Sequence, residues 1–455
     1  MNKTPVIAIF DIGKTNKKIF LFDGQYKIVF EQQVIIPEIK DEDGDDCEDL
    51  EKLTGWLRQK LQELLQQSSF EIRAINFCAY GASFVHLDEQ DKPLTPLYNY
   101  LKKFPEEISA AFYHTYGGPV HFSMLTASPV LGSLNSGMQL YRLKKEQPAV
   151  FQHIKYSLHL PQYLAWLVSG KYYSDMTSIG CHTSLWNFAQ KNYHEWVYRE
   201  NILDKLAPII SSDHSDTIIL KGKQIQAGVG LHDSSAALIP YLQSFTEPFI
   251  LISTGTWCIN LNPFNKKPLS IAELQEDCLC YLSYRGEPVK ASRIFAGYQH
   301  EQEVKRISRH FSEADNYYLD LAYEPGIIHM LLEKNNQAPP AHSPGYSIFH
   351  SRNLSDYENY EAAYHQLMLD MMADQVHALQ LVMEGAETKK IFVDGGFGKN
   401  PLYMQMLANS FNGTEVFAAS VPQATAIGAA MAIHGSWNQN ALPDDLIELK
   451  LYKSA

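Results

Sequence analysis

The chain has 455 residues, which predicts two or three domains of ordinary size with enough apolar side chains to bury a core. Its formal net charge of −13 argues against a nucleic-acid partner, because such proteins usually present a basic face. The six cysteines form no paired C-x-x-C units, which argues against a zinc site. The apolar run 6–10 is too short for a signal peptide, and no run approaches the ~18 residues of a membrane span, so we expect a cytoplasmic protein.

The N-terminal part alternates predicted strands and helices. VIAIF, residues 6–10, KKIFLFD and EQQVIIPEI follow one another with short links, which predicts an antiparallel meander. The acidic stretch DEDGDDCEDLE lacks calcium-loop spacing and is expected to be a solvated loop before a helix. That helix is expected over residues 49–67, because leucines recur at helical spacing: Leu50, Leu53, Leu57, Leu61, Leu64 and Leu65. Next, EIRAINFCAYGASFVHLD predicts a strand, a glycine turn and a strand.

A second domain is predicted to begin near residue 247. There EPFILISTGTWCINLN repeats the strand, glycine turn and strand of VIAIFDIGKTNKKIFLF; since such segments are common, either a duplication or coincidence explains the likeness. It places a domain boundary within 241–247. Farther on we expect a long helix that stops at Gly385, the strand KKIFVD and a helix from about Leu402. The small-residue helix PQATAIGAAMAIHG allows close packing against another element or a ligand.

The segment DIGKTNKK combines groups that suit a polyphosphate. Gly13 permits a sharp turn with exposed backbone N–H groups, and Thr15 and Asn16 add side-chain hydrogen bonds. Asp11, at the strand end, is a carboxylate of the kind that Mg²⁺ takes together with water. Positive charge is expected from three lysines: Lys14, Lys17 and Lys18. A P-loop is excluded because Ala8 stands where its first glycine belongs, whereas a hairpin turn with solvent-facing lysines is the plain alternative.

Two later turns have related chemistry. In STGTW, residues 253–257, hydroxyls and amides at a strand end suit a terminal phosphate, although a threonine-rich hairpin is the alternative. In DGGFGKNP, residues 394–401, adjacent glycines let a flat ring approach the backbone, and a helix N-terminus follows. The dinucleotide fingerprint is not met, because Pro401 occupies its last glycine position.

The fourth segment is GVGLHDSSAA, residues 228–237. Asp233, which follows His232, is either a helix N-cap or a general base that takes a hydroxyl proton during phosphoryl transfer.

Taken in their order along the chain, the four segments resemble the motifs of the FGGY carbohydrate kinases, a branch of the sugar kinase, Hsp70 and actin superfamily. DIGKTNKK resembles the family's D-x-G-x-[TS] phosphate turn, GVGLHD its glycine-and-aspartate catalytic motif, and STGTW its [ST]-x-G-T turn. GGFGKNPLYMQM resembles, in outline, the adenosine motif G-G-x-x-x-N-x-x-x-x-Q. The resemblance extends over essentially the whole chain. It implies an α/β fold of two ribonuclease-H-like domains around a cleft, with sugar and catalytic base on residues 1–243 and ATP mainly on residues 244–455.

The resemblance also implies roles for individual residues. Asp233 would be the catalytic base and Asp11 the Mg²⁺ ligand. The ATP-binding set would be Gly13, Lys14, Thr15, Asn16, Thr254, Gly255, Thr256, Gly395, Gly396 and Asn400. The His-Asp pair and the loop YGASFVHLDEQDKPL resemble the sugar site of rhamnulose kinases, which gives the substrate-binding set Gly81, Ala82, His232 and Asp233.

Three places depart from the family pattern. Lys14 stands where many members have a small residue, so it either adds a cation to the phosphate site or points outward. PLYNYLKKF, residues 96–104, falls where relatives often have W-x-D-x-R or Y-R-D-x-R, and this chain lacks that Asp and Arg. AGYQHEQEVKR, residues 296–306, is unusually polar and has no explanation in the sequence.

The expected reaction is ATP-dependent phosphorylation of a primary hydroxyl of a ketose or deoxyketose, of rhamnulose, fuculose, xylulose or ribulose type. One alternative is a non-catalytic ATP- or sugar-responsive regulator on the same scaffold, against which the presence of both Asp11 and Asp233 argues. Another is an Hsp70-like ATPase, for which the sequence offers no peptide-binding domain. The expected partner is a small sugar, with neither nucleic acid nor membrane, and the resemblance allows a homodimer.

Overall fold

The computed structural model describes residues 3–335, 347–421 and 423–454. These residues pack into two compact units. The first unit contains residues 3–244, 280–288 and 423–446, and the second contains residues 245–279, 289–335, 347–421 and 447–454. Two segments therefore belong to the first unit although they follow the boundary expected at residue 243.

The strands of the described residues, in chain order, are β1 Thr4–Ile12, β2 Lys17–Phe22, β3 Ile28–Val34, β4 Ile39–Lys40, β5 Asp46–Glu48, β6 Phe70–Ala79, β7 Phe84–Leu87, β8 Leu97–Tyr98, β9 Tyr156–His159, β10 Ser174–Asp175, β11 Trp186–Asn187, β12 Asn192–Tyr193, β13 Ile209–Ile210, β14 Ser215–Leu220, β15 Lys223–Gly228, β16 Leu231–His232, β17 Phe249–Thr254, β18 Cys258–Asn262, β19 Cys278–Leu282, β20 Pro288–Ile294, β21 Lys390–Gly395, β22 Glu415–Ser420 and β23 Glu448–Tyr452.

The α-helices, in the same order, are α1 Leu50–Gln66, α2 Glu106–Thr115, α3 Pro119–Thr126, α4 Ser136–Glu146, α5 Pro148–His153, α6 Leu160–Ser169, α7 Met176–Ile179, α8 Glu195–Arg199, α9 Asp233–Ala237, α10 Ile239–Ser244, α11 Ile271–Gln275, α12 Ala296–Phe311, α13 Pro325–Asn335, α14 Tyr360–Met383, α15 Pro401–Ser410, α16 Ala424–Ala432 and α17 His434–Trp437. Short 3-10 helices lie at Gly132–Leu134, Leu203–Lys205, Tyr317–Asp320, Ile348–Ser351, Leu354–Asp356 and Phe397–Lys399.

The main sheet of each unit has the same arrangement of five strands. In the first unit the order β3-β2-β1-β6-β15 continues to β14, and in the second the order β20-β18-β17-β21-β22 continues to β23. Three strands form an antiparallel meander in each case, and the next two run parallel to the first strand of that meander. The likeness between the two strand-turn-strand segments therefore extends to the topology of both units, which favours a duplication over coincidence.

The predicted helix near the N-terminus is confirmed as α1. All six leucines named from the sequence are buried, and Asp49 caps the helix through a bond from the Lys52 N–H at 3.0 Å. All six leucines and the inward side of β1 and β2 contribute to one apolar core of the first unit. The long helix of the second unit is confirmed as α14; it ends at Met383, and Gly385 has a φ of 78°.

Two local expectations were wrong in detail. The third strand was expected over EQQVIIPEI, but β3 begins at Ile28 and ends at Val34, before Pro37, which has no N–H to donate to a sheet. The acidic stretch was expected to be solvated, yet Asp41 is buried and pairs with Lys102, whose ammonium also lies 2.8 Å from Asp43. The ammonium of Lys102 thus neutralises carboxylates of a loop that its composition alone predicted to be solvated.

No helix in the described part of the chain is both long and apolar enough to cross a membrane.

Candidate active site

Three neighbouring strands of the first unit bring Asp11 and Asp233 to one place. Asp11 of β1 lies beside Cys78 of β6, and Cys78 in turn lies beside Leu231 of β16, two residues before Asp233. The pKa of Asp11 is raised to about 6, first by burial and then by the Asp233 carboxylate, and Cys78 and Lys18 partly oppose this rise. The two carboxylates therefore share one electrostatic site, although 222 residues separate them in the sequence.

The Asp233 carboxylate is partly open at the start of a helix. Asp233 is the first residue of α9, and His232 occupies the N-cap position. The N-cap interpretation of Asp233 was therefore wrong. Its Oδ1 accepts from the Ser234 N–H at 2.6 Å and lies 3.2 Å from His232 Nε2. Burial lowers the pKa of His232, which keeps that imidazole neutral beside the carboxylate at pH 7. With 32% of its side chain exposed, Asp233 is accessible from solvent.

The glycine turn between β1 and β2 is closed by a bond from the Gly13 N–H to the Asn16 carbonyl at 2.9 Å. The turn is also bound from the interior of the unit, because the buried ammonium of Lys17 donates to the Lys14 carbonyl at 3.0 Å. Lys17 also pairs with Glu48 at 2.8 Å, and each side chain is only 1% exposed. The turn is thus attached to the interior, while Thr15 is exposed at its outer edge.

Lys17 was expected to bring positive charge to phosphates, and that expectation was wrong. Its ammonium is buried against Glu48, whose other carboxylate oxygen accepts from the Tyr80 hydroxyl at 3.2 Å. The sequence did contain a signal for this. Lys17 begins β2 and, with a period of two, falls on the same face as Ile19 and Leu21, which are core residues. The long-range partner Glu48 had no such signal.

The other two lysines of the turn lie apart from Lys17. Lys18 Nζ donates to Gln423 Oε1 at 3.3 Å, and its charge partly opposes the rise in the pKa of Asp11. Lys14 forms an ion pair with Glu38, and its ammonium lies over the ring of Tyr80. The three lysines therefore do not act as one cationic cluster.

The predicted sugar loop lies beside His232. A side chain at Gly81 would bring its Cβ to 3.0 Å from the His232 ring and 3.4 Å from Cys181 Sγ, so the imidazole packs directly on the Gly81 backbone. Ala82 has a φ of 61°, and its carbonyl accepts from Gln139 Nε2 at 2.7 Å. Gly81, Ala82, His232 and Asp233, the substrate-binding set that the resemblance implied, consequently lie close together, and their role in sugar binding stays a prediction.

In the second unit, Thr254 and Gly395 are paired on adjacent strands, β17 and β21. Gly395 has a φ of 98°, and a Cβ there would lie 2.1 Å from the Thr254 carbonyl oxygen, so this position requires glycine. The Thr254 hydroxyl donates to the Asp394 carbonyl at 2.7 Å and accepts from the Phe397 N–H at 3.1 Å. Gly396 has open space where a side chain would be, which leaves its backbone approachable.

The polar segment that the sequence left unexplained is part of helix α12, which begins against the STGTW turn. A Cβ on Gly297 would lie 1.8 Å from the Gly255 carbonyl oxygen, and the Tyr298 N–H donates to the Thr256 carbonyl at 3.1 Å. Gly255 and Thr256 remain exposed in this arrangement. No local pattern marked Gly297, because its role depends on a contact with Gly255, 42 residues earlier in the sequence.

Asn400 is a helix cap in this structure. Its Oδ1 accepts from the N–H groups of Leu402 and Tyr403 at 3.0 and 3.1 Å, and its Nδ2 donates to the Tyr364 hydroxyl at 2.7 Å. Asn400 is buried, so its side chain fixes the start of α15 behind the two glycines.

Two family models together match most of the chain. Residues 6–230 match the model described as FGGY family of carbohydrate kinases, N-terminal domain, and residues 246–441 match carbohydrate kinase FGGY, C-terminal domain. The chain belongs to the FGGY family of carbohydrate kinases. This confirms the resemblance that the four motifs predicted.

Curated relatives of this FGGY chain include rhamnulokinases. That of Halalkalibacterium halodurans is 27% identical over 167 residues, which cover 37% of this chain and 33% of the relative. That of Yersinia pestis (strain Pestoides F) is 22% identical over 271 residues, which cover 56% of this chain and 53% of the relative. The matched part thus spans between a third and about half of the length of these two relatives.

Solved structures resemble this FGGY chain over nearly its full length. A carbohydrate kinase from Novosphingobium aromaticivorans has a TM-score of 0.81 at 23% identity, covering 100% of this chain and 95% of that one. A xylulose kinase from Lactobacillus acidophilus has a TM-score of 0.76 at 17% identity, covering 99% and 94%. Plasmodium falciparum glycerol kinase with ADP has a TM-score of 0.71 at 17% identity, covering 96% and 90%. At such identities the likeness shows the fold, which confirms the predicted two-domain α/β class.

The donor set of the first unit fits Mg²⁺ bound together with a phosphorylated ligand. Among the described residues, no group of three or more His, Cys, Asp or Glu side chains forms a complete metal cage. Mg²⁺ does not need such a cage, because it is usually held by one or two carboxylates, substrate phosphates and water. Asp11 would supply the carboxylate, and the negative field of Asp233 beside it would favour a cation at this place.

Proposed function

We propose that this FGGY protein transfers the γ-phosphate of ATP to a primary hydroxyl of a ketose or deoxyketose. The observation that carries the proposal is the Asp11–Asp233 pair, in which two partly buried carboxylates lie within electrostatic reach of each other and the pKa of Asp11 is raised to about 6. A kinase needs a cation ligand and a hydroxyl-proton acceptor close together, and these two environments suit those two tasks.

In the proposed reaction Asp233 orients the sugar hydroxyl and accepts its proton. The O–H bond breaks, a bond from that oxygen to the γ-phosphorus forms, and the bond from the γ-phosphorus to the bridging oxygen breaks, so that ADP leaves. The neutral His232, 3.2 Å from the base, can donate its ring N–H to that carboxylate or to the sugar. Its packing on Gly81 holds the imidazole at the sugar side of the base.

Phosphate binding is assigned to the glycine turns of both units. Gly13, Thr15 and Asn16 offer the donors of the first turn, and Thr254, Gly255 and Thr256 form the second. Gly395 and Gly396 provide the approachable backbone for adenosine, with Asn400 holding the helix behind them. Bound Mg²⁺, with Asp11 as its protein ligand, would neutralise charge on the phosphate oxygens.

The direct test is a coupled ADP-release assay over a panel of ketoses and polyols, with Asp233→Asn as the informative variant. Loss of the base is expected to lower kcat by about 10²- to 10⁴-fold while ATP binding persists. The matched control is Asp204→Asn, which changes an exposed aspartate of the same unit and is expected to leave kcat unchanged.

Full activity in Asp233→Asn would show that Asp233 is not the base. Retained ATP binding without turnover of any sugar by the unmodified protein would instead favour a regulator built on the same scaffold.

A further inference from the structure

This inference rests on the proposed sugar phosphorylation and concerns Lys14, where the chain departs from the family pattern. Lys14 forms an ion pair with Glu38, with 24% and 35% of the two side chains exposed. Its ammonium lies 5.7 Å from the ring centre of Tyr80 and 5.8 Å from that of Tyr100. Two aromatic faces and a carboxylate thus surround the ammonium.

The same carboxylate connects Lys14 to the segment that lacks the family's Asp and Arg. Asn99 Nδ2 donates to Glu38 Oε1 at 3.3 Å, and the Asn99 Oδ1 accepts from the Leu101 N–H at 2.9 Å, which fixes the amide. Tyr100, the next residue, packs edge-to-face on Tyr80 with ring centres 5.9 Å apart. We call the five residues Lys14, Glu38, Tyr80, Asn99 and Tyr100 the charged wall.

The charged wall is close to the proposed base. Tyr80 is followed in the chain by Gly81, whose backbone contacts the His232 ring next to Asp233. Burial raises the pKa of the Tyr100 hydroxyl, and the Asp233 and Glu38 carboxylates contribute to the same rise, so Tyr100 lies within electrostatic reach of both. A sugar that presents a hydroxyl to Asp233 would therefore have residues of this wall near its remaining carbons.

We propose that the charged wall selects the substrate, binding the hydroxyls of a neutral sugar and rejecting a sugar acid. The ammonium of Lys14 can donate and the carboxylate of Glu38 can accept, so together they match adjacent hydroxyl groups of an uncharged chain. The rings of Tyr80 and Tyr100 offer apolar faces to the carbon side of the sugar. Because Glu38 already neutralises Lys14, the wall has no uncompensated cation for a substrate carboxylate, and Asp11 and Asp233 repel one.

The competing role for Lys14 is to add a cation to the phosphate site, one of the two alternatives that its departure from the family pattern left open. The two roles predict different effects of mutation. A sugar-binding role changes the KM for the sugar, and a phosphate-binding role changes the KM for ATP. Lys14→Met is expected to raise the KM for the ketose roughly 10- to 100-fold, the effect of removing a charge-assisted hydrogen bond, and to change the KM for ATP less than about 3-fold.

Glu38→Gln gives a sharper test, because it keeps the shape of the wall and leaves Lys14 without its counter-charge. The ratio of kcat/KM for gluconate to kcat/KM for the best ketose is expected to rise at least about 10-fold. The controls are Lys60→Met and Glu63→Gln, which remove an ion pair of 2.7 Å on α1 in the same unit and are expected to leave both KM values and the ratio unchanged.

Calorimetric titration of each variant with the same sugars, without ATP, separates this inference from the proposed function. Weakened ketose binding in Lys14→Met supports it. If the unmodified protein phosphorylates a ketose but Lys14→Met changes only the KM for ATP, or Glu38→Gln leaves the ratio constant, the inference is wrong and the kinase proposal stands. If the unmodified protein neither binds nor phosphorylates any sugar of the panel, both are wrong.

Discussion

At the scale of single residues, the buried pair Lys17 and Glu48 links the two halves of the site in the first unit. Lys17 donates to the Lys14 carbonyl of the proposed phosphate turn, and Glu48 accepts from Tyr80, the first residue of the predicted sugar loop. Both charges are withdrawn from water, so their contribution depends on the pair being complete. Local positioning of the turn and of the loop is therefore coupled through one ion pair.

Lys17→Met is expected to destabilise the protein by about 3–5 kcal/mol, because it leaves the Glu48 carboxylate buried and unpaired. The double variant Lys17→Met/Glu48→Leu should recover most of that loss, since it removes both charges and keeps the apolar volume. Urea unfolding of the three proteins measures the difference. Lys60→Met, which breaks a more exposed pair, should cost less than about 1 kcal/mol, and an equally small cost for Lys17→Met would contradict the buried-pair interpretation.

At the scale of elements, the small-residue helix predicted near the C-terminus packs against the helix that carries the proposed base. A Cβ on Gly428 of α16 would lie 1.8 Å from the carbonyl oxygen of Ala236 in α9. The sequence left open whether its small residues served packing or a ligand, and this contact is helix packing. Because α9 begins at Asp233, the closeness of the two helices also sets where the carboxylate lies.

Gly428→Ala is expected to lower the free energy of unfolding by about 1–3 kcal/mol and to reduce kcat, because the added methyl group pushes α9 away from α16. Gly55→Ala is the matched control, since Gly55 lies within helix α1 with nothing within 4 Å of the added Cβ. That change should stabilise the protein by roughly 0.5–1 kcal/mol. Thermal unfolding of both variants measures these changes. A Gly428→Ala protein that is more stable than the unmodified protein would refute the tight helix contact.

At the scale of the whole molecule, the free energy of unfolding should depend on pH through buried histidines. Burial lowers the pKa of His86 to about 4 and that of His159 to about 3, while both would titrate near 6.5 in the unfolded chain. Their imidazoles bond to Ser157 at 2.8 Å and Ser136 at 3.0 Å in the interior of the first unit. Below pH 6.5 the unfolded chain takes up protons that the native protein excludes.

Acidification from pH 6.5 to about 4 is therefore expected to reduce stability by about 1.4 kcal/mol per pH unit for each of the two histidines, and their contribution is complete above pH 6.5. Carboxylates with lowered pKa, such as Glu273, add to the slope, so the informative quantity is the difference between variants. In urea unfolding across this pH range, His86→Gln/His159→Gln should have a smaller slope than the unmodified protein. Replacing the exposed His153 by Gln should leave the slope unchanged, and identical slopes for all three proteins would contradict this account.

The sequence by itself determined what depends on neighbours along the chain. The leucine spacing of α1, the strand-turn-strand segments that open both units and the helix end before Gly385 follow from periodicity and turn chemistry, which act over a few residues. The order of four short motifs was enough to indicate the FGGY family, which the comparisons confirmed.

Only the tertiary structure decided which distant residues meet. Glu48 as the partner of Lys17, Glu38 as the partner of Lys14, and Ala236 as the neighbour of Gly428 are long-range contacts that no local pattern encodes. The same is true of the Asp11–Asp233 pair, which needs β1, β6 and β16 side by side before either carboxylate acquires its environment. A pKa, a buried charge and a close backbone contact arise from what surrounds a residue, and in a folded chain most of those surroundings are remote in sequence.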